Sequence, residues 1–262
     1  MKRIIESQLD NKMEKKRVLL SAFGIHAGGG FVLLKTLLDE LDGKLKMAAL
    51  DFRFNASRLP ISPGARIEYI RRSFLARILA LGRLVRITSQ HDILLCFNSL
   101  PPLKKAVGKV IVFVHAPHFV GGHRGIRYKY LTSVRLMIER MWFKLGIRNC
   151  DEIWVQTPTM RGLVLKSYPG FVVKIVPLVD SEIATRLAMQ NSAIFKKNNG
   201  DSRFIFFYPA DAVGHKNHEN LLKAWALLAS DGRAPELVLT LRLEEMESLK
   251  KRTQLGDDEC IQ

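Results

Sequence analysis

Two short stretches place glycines or a lysine where they could bind an anion. Lys216 lies in FFYPADAVGHKNHENLLKAW, where an apolar run is followed by a polar loop and then by a helical pattern. The other stretch is IHAGGG, in which Gly28, Gly29 and Gly30 precede the helical pattern FVLLKTLLDEL. The backbone N–H groups of glycines can approach an anion closely, and a helix N-terminus favours negative charge. Both stretches therefore indicate binding of phosphate groups.

The glycine triplet does not match the common nucleotide-binding motifs. It lacks the spacing GxGxxG, and Leu34 precedes Lys35 where a P-loop requires Gly-Lys. A nicotinamide dehydrogenase or a P-loop NTPase is therefore poorly supported. Asp51, at the end of the second predicted strand, is the one feature that a dinucleotide-binding protein would share. The alternative is that the glycines only form a tight turn.

Three histidines follow one predicted strand in VHAPHFVGGH. A metal site would need histidines on one helix face or carboxylates nearby, and the sequence shows neither, so no metal is expected. His118 and His123 are interpreted as structural. His115 stands at the carboxyl end of the strand and is better placed to contact a ligand, although a buried structural role is the alternative.

Apolar runs alternate with helical patterns, which indicates an α/β fold. KVIVFVHAPH is continuously apolar, as expected for a parallel strand buried on both faces. Thr157 before Pro158 is a predicted helix N-cap and first turn. The sequence predicts a Rossmann-like, doubly wound parallel sheet with ligands at the carboxyl ends of its strands. The strand-like runs are RVLLSAF, LKMAALDFR, HDILLCFNSLPP, KVIVFVHAPH, DEIWVQ and VVKIVPLVD.

The pattern predicts one complete domain and the start of a second. A charged segment, 1–16, precedes the first Rossmann-like domain at 17–180, and a polar linker is expected at 181–201. A second Rossmann-like domain begins at 202–262 with the runs RFIFFYPA, HENLLKAWALLAS and PELVLTLRL.

Cysteine usage and hydropathy indicate a cytoplasmic protein. Cys96, Cys150 and Cys260 are far apart and form no CxxC pair, which argues against a disulfide framework or a structural zinc site. No apolar run reaches the roughly 18 residues of a membrane span. The N-terminus lacks the apolar segment of a secretory signal.

The net charge of +16 predicts an anionic partner. Nucleic acid is disfavoured, because the basic residues are not interleaved with aromatic residues in a binding pattern. In RRSFLARILALGRLVR the apolar residues can share one helical side flanked by arginines, which is typical of a helix lying on an anionic bilayer. An amphipathic helix packed on a protein core explains the same pattern equally well. The arginines of the bilayer interpretation are Arg71, Arg72, Arg77, Arg83 and Arg86.

Three blocks together resemble the retaining glycosyltransferases of the GT-B fold, in particular the family 4 enzymes that build bacterial surface polysaccharides such as O-antigen, capsule and lipopolysaccharide. The resemblance covers roughly Arg17 to Ala229. Its blocks are SAFGIHAGGG, DEIWVQTPTMRGLV with the following KIVPLVD, and FFYPADAVGHKNHENLLKAW.

The resemblance implies a hexosyltransferase with an acceptor-side N-terminal domain and a donor-side C-terminal domain. The glycine triplet would contact donor and acceptor, and His115 would line the sugar pocket. Lys216, with the adjacent Asn217, would bind the diphosphate that leaves. The nucleotide-sugar is then a substrate, and no cofactor is implied.

The implied function is transfer of a hexose from a nucleotide-sugar to a lipid-linked or saccharide acceptor. The implied location is the inner face of the cytoplasmic membrane, where the protein would be peripheral.

Two departures from the family pattern affect these expectations. Asp211 stands where many relatives have an arginine, so a phosphate would depend more on Lys216 and on backbone amides. The family's pair of glutamates in a glycine-rich segment is not found before Gln262, and the glutamates of LRLEEMESLKK read as a solvated helix face. We therefore expect a truncated second domain. The alternative function is a catalytically incomplete glycosyltransferase that binds acceptor or membrane without turnover.

Overall fold

Four ranges of the chain, 17–54, 64–121, 130–179 and 205–253, are described by the computed structural model. The strands in these ranges are β1 (Val18–Ala22), β2 (Leu45–Asp51), β3 (Arg66–Ile70), β4 (Ile93–Cys96), β5 (Lys109–Phe113), β6 (Glu152–Val155), β7 (Val173–Ile175), β8 (Ile205–Tyr208) and β9 (Glu236–Leu239). The helices are α1 (Gly28–Glu40), α2 (Phe74–Ile87), α3 (Tyr130–Gly146), α4 (Pro158–Ser167), α5 (His218–Ser230) and α6 (Leu243–Thr253).

The first seven strands form one parallel sheet in the order β3-β2-β1-β4-β5-β6-β7. This confirms the predicted α/β, Rossmann-like parallel sheet. The strand order reverses between β1 and β4. In such a sheet the connections after these two strands diverge to opposite faces, which leaves a crevice at their carboxyl ends.

Helices cover both faces of this sheet. On one face α1 packs through Leu34, Leu37 and Leu38. On the other, Leu84 of α2 and Phe143 of α3 share a second apolar cluster with side chains of β1, β4 and β5. The central strands are buried on both faces, as their continuous apolar runs predict. The packing holds the carboxyl edge of β1, β4 and β5 in place.

The chain divides into two compact units, of which the first carries the seven-stranded sheet and the second carries β8, β9, α5 and α6. In the second unit β8 and β9 are parallel, and Phe206 lies edge-on to Trp225 of α5 with ring centroids 5.3 Å apart. The predicted segments 1–16 and 181–201, together with His123 and Cys260, lie outside the described residues.

No helix within the four described ranges combines the length and the apolar character needed to cross a bilayer.

Candidate functional site

The loop after β1 is fixed by the end of β2. Gly24 has a φ of 86°, and its N–H donates to Asp51 Oδ2 at 3.0 Å. Asp51 is buried and also accepts from the Nε and the backbone N–H of Arg53. Burial alone would raise the pKa of Asp51, but the hydrogen bonds from Arg53 outweigh it and the pKa lies below its ordinary value. Asp51 therefore supports the loop, and its carboxylate oxygens already accept hydrogen bonds from Gly24 and Arg53.

Helix α1 begins at the glycine triplet, and in the described part of the chain its N-cap residue gives no side-chain cap. Gly28 has a φ of 64°, and Ala27 at the N-cap offers no side-chain acceptor to the first N–H groups of the helix. A Cβ at Gly28 or Gly29 would meet no atom within 4 Å, so the backbone here faces open space. At Gly30 a Cβ would come within 3.3 Å of the Ile25 side chain, so this glycine allows the loop to pack closely. The helix terminus leaves N–H groups and a partial positive charge at the edge of β1.

Asn98 stands just after β4, which is next to β1 in the sheet. Its Oδ1 accepts from Ser21 Oγ at 3.5 Å, while its Nδ2 is shielded from water and has no hydrogen-bond partner among the described residues. Buried polar groups are usually paired, so an unpaired amide indicates a place for a ligand or a water molecule. Asn98 was missed by the sequence analysis. The sequence signals it only through the polar pair Asn98 and Ser99, which lies between an apolar strand and Pro101.

His115 stands just after β5, which is next to β4. Its ring packs on Phe97 and Phe113, with centroids 4.5 Å away in each case. Neither ring nitrogen has a hydrogen-bond partner of acceptable geometry in the described part of the chain. Burial lowers the pKa of His115 to about 4, and the nearby Phe97 carbonyl only partly opposes this shift. The imidazole is therefore neutral at physiological pH and offers one donor and one acceptor.

The sheet order thus brings together, after the adjacent strands β1, β4 and β5, three groups of N–H or side-chain atoms that lack a partner among the described residues. They are the uncapped start of α1, the Asn98 amide and the His115 ring. The first attracts an anion, whereas the other two suit hydroxyl or carbonyl groups. Together they fit a ligand that is partly anionic and partly rich in hydroxyl groups.

Lys216 belongs to the second unit, in the turn between β8 and α5. It ends a short 3-10 helix, Gly214–Lys216, and its carbonyl accepts from the Tyr208 hydroxyl at 2.9 Å. Its side chain is exposed. Asn217 follows with a φ of 58° and gives no side-chain cap to α5. Lys216 therefore lies beside a second uncapped helix N-terminus.

His218, the first residue of α5, adds an unsatisfied polar group to this turn. It is 3% exposed, its ring lies edge-on to Tyr208 at 5.3 Å, and its Nε2 has no partner among the described residues. Asp211 is exposed. The charge, the helix terminus and the buried nitrogen together make this turn suitable for an anion.

The arginines predicted to contact a bilayer are divided between two environments. Arg71, Arg72 and Arg86 are exposed, and Arg83 forms an ion pair with Glu68. Arg77 instead turns inward.

Arg77 has a side chain that is only 14% exposed and lies 3.8 Å from Glu139 of α3. Its guanidinium packs over Phe23 and against Gly24 in the loop after β1. Burial lowers the pKa of Arg77, and Glu139 opposes the shift. Arg77 is therefore part of the support for the glycine loop.

The predicted single apolar side of α2 is also divided. Leu81 and Leu84 are buried in the core, whereas Phe74, Leu75 and Leu79 are exposed. Successive residues of a helix turn by about 100°, which places Leu75 and Leu79 opposite Leu84. The prediction that all the apolar residues share one side is therefore wrong.

No three His, Cys, Asp or Glu side chains in the described ranges are grouped so that they could hold a metal ion. In comparisons with known proteins, no family model matches the chain, and no curated protein matches it.

Proposed function

We propose that the chain is a retaining glycosyltransferase of the GT-B type, which transfers a hexose from a nucleotide-sugar to a lipid-linked or saccharide acceptor. The observation that carries the proposal is the arrangement at the carboxyl edge of the first sheet. An uncapped helix N-terminus at Gly28 follows β1, and polar groups of Asn98 and His115 that have no hydrogen-bond partner among the described residues follow the two neighbouring strands. A nucleotide-sugar carries both the phosphates and the hydroxyl groups that would satisfy these features.

The chemistry of His115 fits a role in sugar recognition. A neutral imidazole can accept a hydrogen bond from one sugar hydroxyl and donate one to another oxygen. Because its pKa is about 4, the ring would not act as a cation towards phosphate at neutral pH. In the proposal His115 and Asn98 contact hydroxyl groups, and the start of α1 contacts an anionic group.

The turn around Lys216 supports the same proposal from the second unit. When the bond between a sugar and a diphosphate breaks, negative charge develops on the leaving phosphate. A pre-positioned cation and helix N–H groups stabilise such a charge without reorganisation. Lys216 and the uncapped start of α5 supply both.

A second candidate is a glycosyltransferase that binds its ligands without turnover. The observation that favours it is the exposure of β8 to solvent. Its residues Ile205, Phe206 and Phe207 are each more than half exposed. A parallel strand is ordinarily covered on both faces. Among the described residues the second sheet lacks such cover, so this unit would bind phosphate without forming a closed donor site.

Calorimetry and a transfer assay would separate these candidates. The purified chain would be titrated with UDP-hexoses and GDP-hexoses, and with UDP and GDP alone. Binding that is weakened by Asn98→Ala or by Lys216→Ala, but not by the control Lys223→Ala on the exposed face of α5, would support a nucleotide-sugar site in the unit that carries the substitution. Release of free nucleotide in the presence of a membrane lipid extract would favour the transferase, and binding without release would favour the second candidate. Failure of every nucleotide-sugar to bind would contradict both.

A further inference from the structure

Helices α2 and α3 present large apolar side chains to the surface. Leu75 and Leu79 of α2 are 63% and 53% exposed, and Phe74 beside them is 42% exposed. On α3, Met137, Met141 and Leu145 are 60%, 58% and 50% exposed. Exposed apolar side chains are ordinary when scattered singly, but a group on neighbouring elements marks an interaction site. These six residues are called the helix-pair surface below.

The two helices are in direct contact on the same side of the sheet. The Phe74 ring lies edge-on to Trp142 of α3 with centroids 4.9 Å apart, and Arg77 faces Glu139 at 3.8 Å. Buried residues of both helices belong to one apolar cluster. Phe74 is thus both exposed and packed on α3, so it lies at the surface where the two helices meet.

On α3 three of the exposed apolar residues follow a helical spacing of their own. Met137, Met141 and Leu145 recur every four residues, which aligns them along one side. The buried residues Leu136 and Phe143 lie on a different side and fill the core. The helix therefore has a second apolar side, which is not buried in the core of the first unit.

The helix-pair surface lies in a strongly basic part of the chain. Residues 71–87 contain five arginines and no Asp or Glu, and residues 130–148 contain four basic residues and one acidic residue. That acidic residue is Glu139, which is 16% exposed and turned towards Arg77. The two helices therefore offer few carboxylates that could neutralise the exposed Arg71, Arg72 and Arg86.

We propose that the helix-pair surface docks on an anionic lipid bilayer, with α2 and α3 lying in the plane of the interface. The leucine and methionine side chains would enter the boundary between headgroups and acyl chains, while the arginines contact lipid phosphates. The inference does not depend on the proposed glycosyl transfer.

The charge and the chemistry of the surface favour this occupant over two others. A second copy of the chain would bring two basic surfaces against each other across a symmetric interface, where they repel. A nucleic acid would match the arginines, but its phosphate backbone would leave the leucines and methionines without apolar contacts. A bilayer with anionic headgroups satisfies both kinds of side chain.

Vesicle co-sedimentation tests the proposal with the full chain. One set of vesicles contains phosphatidylglycerol and phosphatidylcholine in equal parts, and the other contains phosphatidylcholine alone. We expect binding to the anionic vesicles only. The double variant Met137→Ser/Met141→Ser should weaken it at least tenfold, and Arg71→Gln/Arg72→Gln/Arg86→Gln should weaken it by about fivefold for each charge removed.

A matched control is Lys35→Gln/Lys166→Gln/Lys223→Gln, which removes three exposed charges from α1, α4 and α5. It should leave most of the binding intact, and thermal melting should show that every variant is folded. An equal loss of binding in the control would mean that net charge alone attracts the chain, which overturns the docking surface. Unchanged binding by the methionine variant, or no binding by the wild type, would also overturn the docking surface. A dimer in light scattering that Met137→Ser/Met141→Ser dissociates would assign the surface to a second copy instead.

Discussion

The hydroxyl of Ser99 accepts a hydrogen bond from the backbone N–H of His115 at 3.1 Å. The same hydroxyl donates to the carbonyl of Phe113 at 3.1 Å, so one buried side chain links the segment after β4 to the end of β5. Ser99 has a φ of 61°, a conformation that residues other than glycine rarely adopt. The linkage therefore fixes the backbone that carries the His115 ring in the crevice.

Ser99→Ala should destabilise the first unit, because it removes both hydrogen bonds and leaves a buried N–H group without its partner. The expected loss in the free energy of unfolding is about 1–3 kcal/mol. Urea denaturation measures it, with Ser133→Ala on the exposed side of α3 as the control. A Ser99→Ala variant as stable as the control would show that the linkage contributes nothing.

His115 should make stability depend on pH in the acidic range. Its folded pKa of about 4 lies below the ordinary histidine pKa of about 6.5, so the unfolded chain binds a proton at a higher pH than the folded chain does. The resulting loss in the free energy of unfolding is small above pH 6.5 and grows as the pH falls towards 4. Between pH 7 and pH 5 the free energy of unfolding should fall by about 2 kcal/mol on account of this residue.

His115→Gln isolates that contribution, because glutamine keeps a donor and an acceptor but does not titrate. The difference in unfolding free energy between wild type and variant, measured in urea at pH 7 and at pH 5, should shrink or reverse at the lower pH. Parallel pH profiles of the two proteins would show that His115 is not held neutral. The ring also lies edge-on to Phe97 and stacks on Phe113, so His115→Ala should cost stability as well.

The order of the elements could be read from the sequence because it depends on local patterns. The continuous apolar run of β5 and the cap at Thr157, whose Oγ1 accepts from the Met160 N–H at 3.2 Å, are both as predicted. The edge strand β3 (RIEYI) was missed. It is short and partly exposed, and pairing with β2 rather than its own composition makes it a strand.

The polar groups of the site could be predicted only in part. The glycines and His115 stand next to strong strand patterns, so their position at the edge was predictable. Asn98 becomes notable only because its amide nitrogen is buried in the folded protein, and that burial is a tertiary property. The inward direction of Arg77 is likewise set by Glu139, which lies on another helix and far away in sequence.

Arg77 and Arg72 should respond differently to substitution. Arg77→Gln removes a buried cation from beside Glu139 and from the Phe23 ring, so it should lower the melting temperature and leave vesicle binding nearly unchanged. Arg72→Gln removes an exposed charge, so it should weaken vesicle binding and leave the melting temperature unchanged. Equal effects of the two substitutions on vesicle binding would show that Arg77 reaches the surface.

If the proposed transfer takes place, Lys216→Ala should lower it while leaving the fold intact. The turn is held by the hydrogen bond from the Tyr208 hydroxyl to the backbone carbonyl of Lys216, which alanine preserves. Loss of one pre-positioned charge costs about 2–4 kcal/mol in the transition state, so transfer should fall between about 30-fold and a thousandfold. Lys216→Arg keeps the charge and should retain part of the activity.

Tyr208→Phe tests the turn itself and should lower the free energy of unfolding by about 1 kcal/mol. If Lys216→Ala lowers the melting temperature as Tyr208→Phe does, and nucleotide-sugar binding is unchanged, the lysine only stabilises the turn.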